Sequence, residues 1–207
     1  MDKTTQVLSI CGIVGPISYT IVVIVLGFLW PGYNHVTQAI SELGGVGAPD
    51  AIIMNIAGFA LTGTLIAAFA LGLHRGISGG NGSKIGPSLL AIYGIGMFAV
   101  AFFPWDKTNL ASLTSIMHSL FGWTHWIAVT LALLIIPNRL RNDSQWKSYR
   151  LYTLSTGLVT AILIVVYAFI GIEGYNGALQ RVIVGAQLLW IEITAANLLR
   201  LSTLPNM

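Results

Sequence analysis

VLSICGIVGPISYTIVVIVLGFLW, residues 7–30, carries no charged side chain, and its length matches the roughly 20 residues a helix needs to cross a bilayer core. Trp30 marks an interface, and Pro31 and Gly32 stop the helix. YNHVTQAISELGGVG, residues 33–47, follows as a polar insert with an acid, a histidine and several hydroxyls. Asp50 then opens a second apolar run at 51–73, and others occupy 86–104, 114–137, 149–172 and 178–199. Within the insert, Val36, Ala39, Ile40 and Leu43 recur at helical spacing while His35, Gln38 and Glu42 point elsewhere, which predicts a short amphipathic helix at the membrane surface. Asn34 is its candidate cap, and Gly44 and Gly45 end it.

Composition agrees with this reading. Apolar residues make up 55% and charged residues 8%, against about a quarter charged in soluble domains, and the mean hydropathy is +0.79. The expectation is an all-α integral membrane bundle of six transmembrane helices plus the short amphipathic helix in the first outer loop. The six runs use nearly the whole chain, so residues 1–207 form one domain, and any chemistry lies between helices or on short loops. The net charge of +3 would point to nucleic acid in a soluble protein, but here it reports topology, and no nucleic-acid partner is expected. Lys3, Arg75, Lys84, Arg139, Arg141, Lys147, Arg150 and Arg200 fall on one set of loops and ends, with only Lys107 and Arg181 on the other. The positive-inside rule then places both termini in the cytoplasm and the protein in the cell membrane as a multi-pass chain. The basic loop from Asn138 to Lys147 offers contacts to anionic lipid headgroups.

Cys11 stands alone and forms no internal disulfide. The first run is longer than a signal-peptide core and is read as a retained span. Gly12, Gly15 and Pro16 in it, and Gly58, Thr62, Gly63 and Thr64 in the second run, suit close helix contacts, including a homo-oligomer through the second span. The connector of residues 78–83 is rich in glycine and serine and reads as a hairpin link, without the lysine and hydroxyl of a phosphate loop.

This topology gathers Glu42, Asp106, His118, Glu173, Gln180 and Arg181 near the outer surface, and ionisable groups at membrane depth are default functional candidates. Ser115, His118, Gly122 and His125 share one stripe of the fourth span, flanked by Trp123 and Trp126. Each of these residues also has a plainer role open to it. Asp106 can cap its own turn, Arg181 can pair with Glu42, Asp106 or Glu173, His118 can be a packing histidine, and Glu192, with His125 or Asn197, can be a buried neutral polar group. Ser41, Glu42, Asp106, His118, Gln180 and Arg181 form the candidate ligand-binding set. Ser41, Asp106 and His118 are the catalytic candidates, as nucleophile, orienting acid and base of an acyl transfer. Glu42, Asp106, His118 and His35 could supply zinc ligands, although no HExxH is present.

Ser41-Glu42-Leu43-Gly44 after the first span, Phe103-Pro104-Trp105-Asp106 after the third, His118 in the fourth, and Gly177 to Arg181 followed by Trp190 in the sixth resemble the prokaryotic membrane family catalogued as domain of unknown function 998. The resemblance covers nearly the whole chain and implies a six-span fold with Ser41, Asp106, His118 and Arg181 at its polar positions. Trp105 is the position within the turn where sharing is least expected. The family is in turn distantly similar to the Frag1/DRAM/Sfk1 group, which by analogy implies membrane or lipid homeostasis. The leading expectation is an outward-facing polar pocket that binds a lipid headgroup or small polar ligand, with membrane lipids as partners, no cofactor, and Arg181 as the anion partner. An intramembrane lipid hydrolase, possibly zinc-assisted, is the alternative. A proton-coupled transporter using Glu192 and His125 is a third.

Overall fold

The computed structural model describes residues 3–77 and 84–203; the connector at 78–83 lies outside them. The described residues are helical, with no strand. The long elements are α1 (Lys3–Leu29), α3 (Ala51–Gly76), α4 (Ile85–Val100), α5 (Leu113–Leu140), α6 (Tyr149–Ile170) and α7 (Asn176–Thr203), and one short turn of helix, α2 (Ile40–Leu43), sits in the insert. Five of the long helices are long and apolar enough to cross a membrane; α4 is a shorter apolar helix. At 1.5 Å per residue, its 16 residues span about 24 Å, short of a core of about 30 Å. Its C-terminal end tightens into three successive i to i−3 bonds, from the amides of Ala101, Phe102 and Phe103, before Pro104 stops it.

Each long helix packs on the one before and after it, and α7 returns to α1, so the bundle closes on itself. The close approaches run in opposite directions along each pair. Gly12 lies against Phe69 and Gly72 against Leu8, Gly86 against Ile136 and Gly96 against His125, which makes these neighbours antiparallel. The α1–α7 pair is antiparallel too, because Gly12 meets Ala195 while Gln6 Nε2 donates to the Ser202 carbonyl at 3.1 Å. The start of α1 and the end of α7 therefore lie at the same end of the bundle. Small residues set the spacing. A Cβ on Gly63 would stand 2.5 Å from the Phe98 amide nitrogen, so only glycine lets α3 and α4 approach this closely. Gly63, which the sequence offered for close helix contacts in the second span, makes one within the chain.

The outward faces are apolar, with Phe28, Phe169, Ile170 and Leu151 exposed. Such a belt would be costly in water and is at home in lipid. Side-chain hydrogen bonds join the helices internally. Thr62 Oγ1 donates to the Gly15 carbonyl at 3.2 Å, and Trp190 Nε1 to Thr153 Oγ1 at 3.0 Å, bonds worth about 0.6–2 kcal/mol each in a membrane interior. At the end that carries the start of α1 and the end of α7, Arg139 donates to the carbonyls of His74 and Ile77, and Trp146 Nε1 to that of Gly76 at 3.0 Å. These satisfy carbonyls that the last turn of α3 leaves without helical partners.

Two stretches depart from α geometry: Met54–Ala60 in α3 and Val166–Ile170 in α6 form π-helix. Neither was legible in the apolar pattern. Both lie toward the end of the bundle that holds the polar insert, where such stretches often accompany a site.

Candidate functional site

The insert of residues 33–47 is a flap fastened at three places. Its first fastening is its own turn, in which Asn34 Oδ1 accepts from the amides of Val36 and Thr37 at 2.8 and 3.3 Å. Asn34 caps this turn as expected, but helix is confined to Ile40–Leu43, so the amphipathic helix expected over 35–43 is real only in its second half: Ala39 is extended, and the amides of Ala39 and Ile40, which a helix begun at His35 would direct to the carbonyls of His35 and Val36, are bonded to Glu42 Oε1 and Gln180 Oε1. The second fastening is α7. Ala178 N donates to the Val36 carbonyl at 2.8 Å, Ile40 N to Gln180 Oε1 at 2.5 Å, and Gly177 is pressed so tightly against Gln38 that no side chain fits there. Arg181 completes it, with Nη1 donating to the carbonyls of Gln38 (2.8 Å) and Gly177 (2.9 Å) and Nη2 to the Tyr33 hydroxyl at 2.6 Å. The third fastening is the loop after α4, where Val46 N donates to the Trp105 carbonyl at 2.9 Å. His35 meanwhile lies over Gly27 of α1, its Nε2 buried without a partner, and burial and the Arg181 charge hold its pKa below the ordinary value. Gly32 (φ 82°) and Gly47 (φ 84°) bound the flap in the left-handed region that favours glycine.

Arg181 does not pair with an acid, contrary to the sequence expectation. Among the described residues the ion pair is Lys107 Nζ to Glu42 Oε2 at 2.9 Å. Glu42 also accepts from Gln38 Nε2 (3.2 Å) and from Ala39 N (3.0 Å), closing back on the start of its own helix. Burial opposes its ionisation, but the bonds from Lys107, Gln38 and Ala39 outweigh it and leave its pKa below the ordinary glutamate value. The sign follows directly. A lowered folded-state pKa adds stability above the unfolded value of about 4.3, and that stability is lost as pH falls through the folded value. Amide exchange in residues 33–47 should therefore rise as pH falls below about 4, after correction for intrinsic rates, and Glu42→Gln should remove most of that rise. An equal rise in the variant would deny Glu42 this role.

Asp106 takes the capping role. Its Oδ1 accepts from the Thr108 hydroxyl (2.6 Å), the Thr108 amide (2.9 Å) and the Asn109 amide (3.2 Å), and the Thr108 hydroxyl bond leads in keeping its pKa low. Ser115 Oγ accepts from Asp106 N at 2.9 Å and donates to Asp106 O at 3.0 Å, while Thr114 Oγ1 donates to the Pro104 carbonyl at 2.7 Å. The FPWD turn is thereby stapled to the first turn of α5. Among the described residues no three His, Cys, Asp or Glu side chains gather as a metal-holding group, so Glu42, Asp106, His118 and His35 do not converge as a zinc set.

Under the flap lies a cavity of about 210 Å³. Of the six candidate ligand residues, it brings together Ser41, His118 and Gln180; Glu42, Asp106 and Arg181 stand outside its lining. His125 and Gly122 from the predicted stripe are also on the wall, with Trp123 and Trp126 beside them. Each histidine is held by its Nδ1, His118 against the Phe103 carbonyl at 2.7 Å and His125 against that of Phe121 at 2.9 Å. A carbonyl oxygen only accepts, so Nδ1 carries the proton in both rings, and each Nε2 keeps a lone pair. Sequence reading missed Tyr19, Tyr93 and Tyr167, which border the same space. They sit in apolar runs and look like packing; only the π-helical turn that carries Phe59, and the one that carries Tyr167, reveal how the wall is formed.

The family described as "Protein of unknown function (DUF998)" matches residues 13–197. The chain belongs to that family. No curated protein and no solved structure matches this DUF998 chain, and the likeness to the Frag1/DRAM/Sfk1 group gains no support from them. The matched region holds the flap, the FPWD turn, the α5 stripe and the Gly177–Arg181 segment alike. Two other polar expectations lead elsewhere in this DUF998 bundle. Asn197 Oδ1 accepts from Arg200 at 2.7 Å, and Glu192 lies near Tyr152 of α6, bonded to neither His125 nor Asn197.

Proposed function

We propose that this protein is a six-span cell-membrane protein, with both termini cytoplasmic, that binds the headgroup of a membrane lipid in the outer cavity beneath its flap. The observation that carries the reading is the character of the wall. Aromatic rings of Tyr19, Phe59, Tyr93, Trp105 and Trp126 surround hydrogen-bonding atoms of Ser41, Ser119, His118 and His125, the mix of apolar lining and few polar groups typical of small-molecule sites. The mouth favours a ligand from the bilayer. Ser119 and Trp123 are the exposed members of the wall, about 9 and 15 Å along α5 from its outer end at 1.5 Å per residue, a depth reached from lipid more readily than from water. A volume of about 210 Å³ takes a headgroup and leaves the acyl chains outside. Sidedness rests on the basic residues at the end that holds the start of α1 and the end of α7.

Native mass spectrometry of protein released gently from membranes tests this. One retained amphiphile per chain is the expected result; a spectrum of bare protein under conditions that preserve other lipid complexes would contradict it. Acyl transfer is the second reading, because Ser41 and His118 share the wall and the free Nε2 of His118 is the atom a general base needs. Hydrolysis of the retained lipid, abolished in both Ser41→Ala and His118→Ala, would favour it over binding alone.

A further inference from the structure

We infer that the group held in the cavity is uncharged and carries both a hydrogen-bond donor and an acceptor: a hydroxyl beside ester carbonyls, as in a diacylglycerol. This inference rests on the binding role proposed above and names its ligand class.

The first argument is what the lining lacks. Among the described residues, no Asp, Glu, Lys or Arg side chain lines the cavity. The nearby charges are engaged outside it: Arg181 clasps the flap through Nη1 and Nη2, its buried Nε alone being unpaired, Lys107 and Glu42 hold each other, and Asp106 caps its turn. A phosphate drawn into this space would lose its hydration and meet no cation on the wall itself, an unfavourable exchange. An uncharged group avoids that cost.

The second argument is what the lining offers. The Nε2 atoms of His118 and His125 are lone pairs that call for a donor from the ligand, since their Nδ1 atoms are committed to backbone carbonyls. The hydroxyls of Tyr19 and Tyr93 have no partner among the described residues, although both rings are almost wholly buried and lie against the cavity. They call for an acceptor. Ser41 and the Nε2 of Gln180 offer further donors at the flap side, Gln180 Oε1 being held by Ile40 N. One turn deeper on α7 than Val184 of the wall, the fully buried Gln187 has neither amide atom paired. Unpaired polar atoms at membrane depth each cost several kcal/mol, and a hydroxyl with adjacent carbonyls answers the histidines and the tyrosines at once. A phosphodiester supplies acceptors alone and would set its oxygens against the two lone pairs.

Titration of the purified protein in phosphatidylcholine nanodiscs with dioleoylglycerol, and separately with dioleoyl phosphatidic acid, followed by native mass spectrometry, tests the inference. Dioleoylglycerol should bind at least tenfold more tightly, and Tyr93→Phe, which removes one hydroxyl and keeps the ring, should weaken it about fivefold without changing the melting temperature. Displacement by millimolar free glycerol would keep the uncharged class and assign it to a free polyol. Preferential binding of phosphatidic acid that is blocked by filling the cavity would overturn the uncharged class while leaving the binding role intact. Binding of neither lipid, with none retained from native membranes, would overturn both.

Discussion

Arg181→Ala should release the flap and lower the stability of the whole bundle, with Arg181→Lys recovering only part of the loss. The guanidinium bonds two carbonyls and one hydroxyl from a planar fork, joining Tyr33 and Gln38 of the flap to the first turns of α7. Hydrogen bonds to a charged group contribute about 1.5–3 kcal/mol each and are not additive, so a total loss of about 3–5 kcal/mol is expected, as for breaking a half-buried polar clasp. Lysine keeps the charge but reaches fewer of the three acceptors. Thermal melting in detergent reads the overall loss, and hydrogen exchange locates it. Residues 33–47 should exchange at least tenfold faster in Arg181→Ala, while the α5 segment around Val129 and Leu133 changes little. Uniformly raised exchange would mean that Arg181 supports the bundle and not the flap in particular. Because the flap forms one wall of the cavity through Ser41, lipid retention should fall in the same variant.

How much of this was legible follows from which interactions a linear pattern records. The apolar runs reported the helices, because spanning length and the absence of charge are local properties. The α5 stripe was legible for the same reason, since steps of three and four return to one face, and His118, Gly122 and His125 do share the cavity wall. Partner choice was not local. Arg181 was expected beside an acid because opposite charges attract, yet its three bonds go to Tyr33, Gln38 and Gly177, since the tight seat of Gly177 against Gln38 places carbonyls, and not carboxylates, within its reach. Glu42 found Lys107, 65 positions away. The shortness of α4 depends on the tightened turn before Pro104, which composition shows only as a continuing apolar run. Tyr19, Tyr93 and Tyr167 escaped notice because a tyrosine in a span reads as packing until the opposite wall is known.

Gly122→Leu should abolish lipid retention and leave the fold intact. A Cβ at Gly122 would meet no atom within 4 Å, in contrast to Gly96, where it would stand 2.7 Å from the His125 Cβ. Gly122 lies on the cavity wall, so a leucine there fills empty space. Its loss of backbone freedom in the unfolded chain and its better helix propensity favour the folded state by about 1 kcal/mol, and the melting temperature should hold or rise slightly. Retained lipid should fall to less than a tenth of the wild-type level. That combination separates the cavity from the fold. Gly96→Leu serves as the opposite case, since there both stability and retention should fall. Unchanged lipid retention in a well-folded Gly122→Leu protein would place the bound lipid on the outer surface.

The most direct test of lipid entry into the cavity is photolabelling in native membranes with a diacylglycerol that carries a diazirine close to its glycerol backbone, followed by peptide mapping. Tyr93 and Met97 are almost wholly buried, at 1% and 3% exposure, and lie against the cavity. Their labelling, saturable by unlabelled dioleoylglycerol, is the predicted result. Labels confined to outward-facing residues such as Ile162 and Leu158, and not saturable, would contradict the account.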